Sequence, residues 1–422
     1  MARVPASAVN VGRLTSELPA ARRDDVALEC GTERRTWSEL FAADGLGEPE
    51  LRIGLNEPNS LRLAARILTA LDRGALPVLA HPRWPEALVA RAFERAGVGH
   101  KWTGTPLGTL LFTSGSTAEP KIVAHTLEAH LASARASGQR TPFGPGDRWL
   151  LSLPLCHVGG LAVLFRTLVG GATAVLPRAG SKIVEALVEN DVTHVSLVAT
   201  QLASVLADER ATRRLAAARA VLVGGGPCPD ALLRRALERG IPVRQTYGMT
   251  EFGSQVATST SDDPFTAGRV LPGFELKIVD DEILVRGPGA FAGYLDGDRL
   301  DDPRSDGWFR TGDLGSLDDA ERLRVSGRRD LRFISGGENV SPEAIEAAFA
   351  EAGHVVVVVS VPDERFGRRP VAFTADGGSL DSIARERLPD FMRPIAWLPL
   401  PDESGLKLRR GELERLAIER LR

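Results

Sequence analysis

The chain has 422 residues, 43% hydrophobic and 25% charged, which suits a globular protein of two or three domains and excludes a disordered or fibrous one. A net charge of −3, from 55 acidic and 52 basic side chains, excludes a global pull toward nucleic acid or an anionic membrane, so any anion must be captured locally. The three cysteines, Cys30, Cys156 and Cys228, show neither metal-ligand spacing nor a disulfide framework, and no apolar run is long enough for a signal peptide or a membrane span; a reducing, cytoplasmic setting is expected.

From about residue 57 to 250, apolar runs alternate with amphipathic stretches. Helical periodicity over Pro58–Arg73 precedes a strand at Ala75–Ala80, and a helix at Pro85–Ala96 precedes a strand at Thr109–Ser114. A helix at Leu127–Ser137 is followed by a strand at Arg148–Leu155, and the same rhythm runs through TAVLP, THVSLVAT, ARAVLVGGG and VRQTYG. Such alternation predicts an α/β fold with mainly parallel sheets covered by helices. Past Gly268 the strands shorten and turn residues multiply, which predicts an antiparallel, barrel-like segment. From Asp330 a smaller α+β unit is expected, with helices at Pro342–Glu351 and Ser382–Leu388, a strand at His354–Val361 and a basic last helix. The predicted division is a large unit over 1–329 and a small, hinged one over 330–422.

The chemistry-bearing residues cluster in a few loops. LLFTSGSTAEPK (Leu110–Lys121) ends a strand in hydroxyls, a glycine and a lysine, a composition that presents backbone N–H groups and a point charge to phosphate. It matches neither the P-loop of NTPases nor the nucleophile elbow of α/β-hydrolases; the competing reading is a Ser/Thr-rich surface turn. GGGP (Gly224–Pro227) and YGMTE (Tyr247–Glu251) also follow strands, and GWFRTGDLG (Gly307–Gly315) holds a carboxylate, Asp313, suited to a vicinal diol or to an Asx-turn. Cys156 and His157 are adjacent, so in an extended segment they would face apart and form no catalytic dyad.

Taken in order, these loops resemble the signatures of the acyl-adenylate-forming superfamily of acyl-CoA synthetases, adenylation domains and luciferases. Thr113, Ser114, Gly115, Ser116, Thr117, Pro120 and Lys121 match its phosphate loop, and Ala118 departs from the usual glycine. The resemblance implies that Ser114, Ser116, Thr117 and Lys121 hold ATP phosphates, and that Gly225, Gly226, Pro227, Tyr247, Gly248 and Met249 surround adenine. It implies that Thr250 contacts the α-phosphate, Glu251 holds Mg2+, and Asp313 and Arg328 meet the ribose. SGRRDLRFISGGENVSPEAIE (Ser326–Glu346) supplies the hinge at Asp330 and the coenzyme A passage at Gly336 and Gly337, with Ser341 expected as a helix N-cap. SGLKLRRGEL (Ser404–Leu413) offers Lys407 as the catalytic lysine, although Leu406 stands where the family has glycine.

AHTLEAHLASA, LLSLPLCHVGGLAVL, THVSLVATQL and LPDFMRP resemble one branch of that family, the 2-succinylbenzoate–CoA ligases of menaquinone biosynthesis. The implied reaction uses ATP, Mg2+ and coenzyme A. It forms an acyl-adenylate with loss of pyrophosphate, then a thioester with loss of AMP. His157, Thr200, Gln201 and Ser254 are the expected acyl-pocket residues. Another aryl- or acyl-CoA ligase, a stand-alone adenylation enzyme and a non-catalytic nucleotide-binding homologue stay open. The expected partners are the small-molecule carboxylate, ATP and coenzyme A, with no nucleic acid and no membrane insertion; a homodimer is also open.

Overall fold

A computed structural model describes residues 14–18, 20–42, 48–113, 120–335, 338–375, 377–401 and 410–421. These residues form four sheets. The largest runs Arg269–Val270, Ser254–Thr258, Val243–Met249, Ala220–Val223, His194–Leu197, Arg148–Leu150, Thr173–Val175, Val26–Cys30, Glu33–Thr36. Its central strands are parallel, and Ala220–Val223 and His194–Leu197 are buried along their whole length, as continuous apolar runs require. The second sheet runs Arg299–Asp301, Gly293–Asp296, Lys121–His125, Thr109–Thr113, Leu76–Leu79, Arg52–Leu55. Only its last three strands are parallel, because Lys121–His125 returns antiparallel to Thr109–Thr113.

Helices start where the sequence supplies caps. The Ser60 hydroxyl accepts from Leu63 N (3.1 Å) and so starts the Leu61–Asp72 helix three residues after Pro58. Thr126 caps Leu127–Arg140 in the same way, and Asp208 caps Glu209–Ala216. Gly171, at φ +64°, ends the Val158–Gly170 helix in the left-handed conformation.

The segment past Gly268 divides. Glu275–Val279 and Glu282–Arg286 join Phe309–Leu317 and Leu323–Arg328 in a four-stranded antiparallel sheet, while Arg269–Val270 and Gly293–Asp296 extend the two larger sheets. A short turn of 3-10 helix, Arg329–Leu331, leads from this sheet into the last one, where Phe333–Ser335, Glu338–Val340, Val357–Asp363, Gly367–Thr374 and Trp397–Pro399 pair. Phe333, Ile345, Phe349 and Val358 form part of a core of its own beneath that sheet. Ser341 has the extended backbone of an N-cap, but its hydroxyl bonds the Glu343 carboxylate (2.6 Å) rather than a helix N–H, a correction to the expected cap. No helix among the described residues is long and apolar enough to cross a membrane.

Candidate active site

Parallel strands place their C-terminal ends on one edge, where an open α/β sheet offers a crevice for ligands. His194–Leu197, Ala220–Val223 and Val243–Met249 deliver there the first turn of the Ala199–Leu206 helix with Thr200 and Gln201, the Gly225 to Pro227 turn, and the Thr250–Phe252 turn with Glu251. Thr109–Thr113 ends at the phosphate-loop candidates. Ser114, Gly115, Ser116, Thr117 and Ala118 lie outside the described residues, as do Gly336, Gly337, Leu406 and Lys407.

The Tyr247–Glu251 loop is held from several sides. Val243–Met249 and Ser254–Thr258 form a tight antiparallel hairpin around the turn Thr250–Phe252. At Gly248 a Cβ would lie 1.7 Å from the Ser254 carbonyl oxygen, so only glycine fits. His125 Nε2 donates to the Thr250 carbonyl (2.7 Å), and Phe291 N donates to the Glu251 carbonyl (2.8 Å). The Glu251 carboxylate accepts from the Tyr294 hydroxyl (2.8 Å), and Lys121 Nζ lies 4.6 Å from the centroid of the Tyr294 ring. Thus Lys121 and Glu251 meet at Tyr294, a residue that the sequence motifs do not flag. Burial and the Glu251 charge push the Tyr294 phenol far above its ordinary pKa, so it stays a neutral donor.

A second set surrounds Asp313. Its two oxygens accept from the Tyr247 hydroxyl (2.7 Å) and Arg328 Nη1 (2.9 Å), and Arg328 Nε continues to Asp330 (2.8 Å). Burial raises the Asp313 pKa, opposed by the Tyr247 hydrogen bond and the Arg328 charge. The adenine, ribose and hinge candidates Tyr247, Asp313, Arg328 and Asp330 are therefore one hydrogen-bonded chain. Gly225 takes a φ of +78° in its turn, and at Gly226 a Cβ would meet nothing within 4 Å.

The acyl-pocket candidates divide. Both ends of the Gln201 amide are engaged, Oε1 accepting from Val198 N (3.1 Å) and Nε2 donating to the Ser152 carbonyl (3.1 Å); Thr200 is exposed. Ser254, at φ +120°, accepts from Arg166 Nη2 (3.3 Å). Arg166 is 2% exposed, stacks its guanidinium 5.1 Å from the centroid of the Trp149 ring and leaves Nε without a hydrogen-bond partner. Among the described residues no carboxylate pairs with it, and burial pushes its pKa down to about 9. A buried arginine with no anion is the clearest sign of a missing one. The sequence signal was an arginine within an otherwise apolar helix, LAVLFRTLVG.

His157 is the N-cap of that same Val158–Gly170 helix. The expected strand stops at Leu150, because the Asn59 amide grips both the Leu153 carbonyl and Leu155 N (2.8 Å each). His157 N then bonds the Pro154 carbonyl (3.0 Å), so the segment turns. That turn overrides the extended geometry expected from adjacency, and the Cys156 sulfur and a His157 ring nitrogen lie within 4.8 Å of each other. Burial pushes the Cys156 thiol up to about 12, which leaves it a protonated, poor nucleophile.

Behind the Thr250 loop lie two buried histidines. His125 is fully buried with its pKa lowered to about 4 by burial. Its ring sits 4.6 Å from that of His130, which bonds Thr109 Oγ1 (2.7 Å) and stacks on Phe165.

The AMP-binding enzyme family matches residues 97–295. The chain is 35% identical to the 2-succinylbenzoate–CoA ligase of Salmonella typhimurium, with 96% of each chain covered. Among solved structures it is similar to a variant of Escherichia coli MenE with bound OSB-AMS, at 31% identity and a TM-score of 0.83, covering 94% of this chain and 96% of that one. It is also similar to o-succinylbenzoate coenzyme A synthetase (MenE) from Bacillus subtilis in complex with ATP and a magnesium ion, at 27% identity and a TM-score of 0.80, covering 95% and 99%.

Proposed function

The chain belongs to the AMP-binding enzyme family, and from that premise we propose that it is an ATP-dependent 2-succinylbenzoate–CoA ligase. It joins the acid to coenzyme A in two steps: acyl-adenylate formation with release of pyrophosphate, then thioester formation with release of AMP. The observation that carries the substrate reading is Arg166, a buried cation with no anionic partner among the described residues, on the helix that His157 caps. 2-Succinylbenzoate has two carboxylates. One is activated; the ring carboxylate stays ionised and needs a charged partner in a dry pocket. Arg166 with Ser254 meets that need better than Thr200 or Gln201, whose groups are exposed or already engaged.

Activation replaces an oxide leaving group by AMP. The attacking carboxylate and the α-phosphate are both anionic, so this chain's contribution is positioning and charge neutralisation. Lys121 and the Ser114–Thr117 loop grip the distal phosphates, Thr250 bonds the α-phosphate, and Tyr247, Asp313 and Arg328 take adenine and ribose. Opening the Arg328–Asp313 pair to the ribose hydroxyls leaves the Asp313 charge intact as acceptor. Glu251 fits a Mg2+ ion: a hard cation takes oxygen ligands, and this carboxylate is oriented by Tyr294 beside Lys121. Bound there, the ion would neutralise phosphate charge.

Lys407 is assigned to the adenylation step, and the unit from Asp330 onward is assigned a rotation that exchanges Lys407 for the Gly336–Gly337 segment before coenzyme A attacks. Support comes from Arg410, three residues beyond Lys407. Its guanidinium makes paired bonds of 2.7 and 2.8 Å to Glu346, tying the last helix to the Pro342–Glu351 helix of the same unit. Lys407→Ala tests this division. It is expected to lower pyrophosphate release by at least about 100-fold, as removal of a transition-state charge does, while leaving thioester formation from supplied acyl-adenylate nearly intact. Equal loss of both half-reactions would contradict the alternation.

A further inference from the structure

The chemistry above uses neither Cys156 nor His81. His81 follows the Leu76–Leu79 strand of the six-stranded sheet, and Cys156–His157 follow Arg148–Leu150 of the nine-stranded one. The fold nevertheless brings one ligand atom from each of His81, Cys156 and His157 within 4.8 Å of one another. The two imidazole rings are tilted at 47° to each other, with centroids 5.5 Å apart. We propose that His81, Cys156 and His157 form a binding site for a borderline divalent cation of the Zn2+ class.

The donor set decides the metal. One thiolate and two imidazoles suit Zn2+, and they discriminate against Mg2+, which takes hard oxygen ligands. Tetrahedral bonds of roughly 2.3 Å to sulfur and 2.0–2.1 Å to nitrogen place neighbouring ligand atoms about 3.3–3.7 Å apart. The present spread contracts by about 1 Å through side-chain rotation to reach that geometry. Cys156 is largely buried, at 8% exposure.

On binding, the Cys156 S–H bond breaks, its proton leaves to solvent, and the sulfur–metal bond forms. His81 supplies a ring-nitrogen lone pair, and its Nδ1 accepts from Arg83 N (3.1 Å). Water takes the fourth position, since three protein ligands leave one open. The occupied site would clasp the two sheets across the mouth of the crevice and fix the His157 ring. The sequence hides this arrangement, because His81 is distant along the chain from the other two ligands.

The test is equilibrium dialysis of the full-length protein against micromolar Zn2+ in Mg2+-containing buffer, with metal counted by mass spectrometry. Wild type should take up one Zn2+ per chain, and Cys156→Ser and His81→Gln should each weaken uptake at least about 10-fold. Co2+ as a spectroscopic probe should give a thiolate charge-transfer band in wild type that Cys156→Ser abolishes. Circular dichroism without metal checks that each variant is folded, and His157→Gln replaces one that is not. No stoichiometric uptake by wild type, or uptake unchanged in the folded variants, overturns the proposal.

Discussion

Replacing Arg166 by methionine should make the enzyme more stable and far less active toward its own substrate. Burial takes the Arg166 pKa from 12.5 to about 9. At about 1.36 kcal/mol per pH unit, carrying the charge at neutral pH costs the folded state roughly 5 kcal/mol. The pKa of this cation is depressed on folding, so the cost is complete at any pH below about 9 and fades only above it. The Trp149 stack and the Ser254 hydrogen bond each return about 1–2 kcal/mol. Methionine keeps most of the stem's bulk without the charge, so a net gain of about 1–3 kcal/mol is expected without substrate. With substrate the balance reverses, because a buried carboxylate deprived of its partner loses about 3–5 kcal/mol. That corresponds to a fall in kcat/KM of roughly 150- to 5,000-fold. The assay pairs urea unfolding with initial rates on 2-succinylbenzoate and on 4-oxo-4-phenylbutanoate, which lacks the ring carboxylate. The selective loss should be confined to the first acid. Lower stability together with equal loss on both acids would refute the assignment of Arg166 to the ring carboxylate.

Asp313→Asn removes the charge at the centre of the Tyr247–Asp313–Arg328 chain, and KM for ATP should rise about 10-fold or more through loss of charge-assisted bonds; an unchanged KM would remove Asp313 from the nucleotide site. His125→Asn should flatten the acid side of the stability curve. Its folded pKa is lowered to about 4 from 6.5, so the neutral ring's stabilisation is full above 6.5 and is lost as pH falls toward 4, by at most ~3 kcal/mol. Urea midpoints at pH 7 and pH 5 measure this, and a variant with the wild-type pH dependence would count against it.

The loops were legible because their chemistry is local. YGMTE and TGD carry their own turns, and Gly248 cannot be anything else with the Ser254 carbonyl 1.7 Å from where a Cβ would lie. What joins the loops was not legible. Tyr294 reaches Glu251 only because Gly293–Asp296 pairs with Lys121–His125 across the sheet, with Tyr294 opposite Val123. His125 reaches Thr250 from a buried strand position where its type could equally have been a core residue. Arg166 looked like one polar residue in an apolar helix until the packing showed that no carboxylate among the described residues pairs with it and that its Nε has no hydrogen-bond partner. The Cys156–His157 geometry depended on Asn59, whose amide pulls the following segment off the strand. In each case the deciding contact is between residues far apart in the chain, which periodicity does not register.

The central claim is the acid that this enzyme activates. The direct measurement is AMP release with ATP, Mg2+ and coenzyme A across a panel of 2-succinylbenzoate, benzoate and a fatty acid, with the thioester product weighed by mass spectrometry. The account predicts AMP and 2-succinylbenzoyl-CoA in equal amounts from the first acid, with little from the others. Release with benzoate or the fatty acid and none with 2-succinylbenzoate would contradict it.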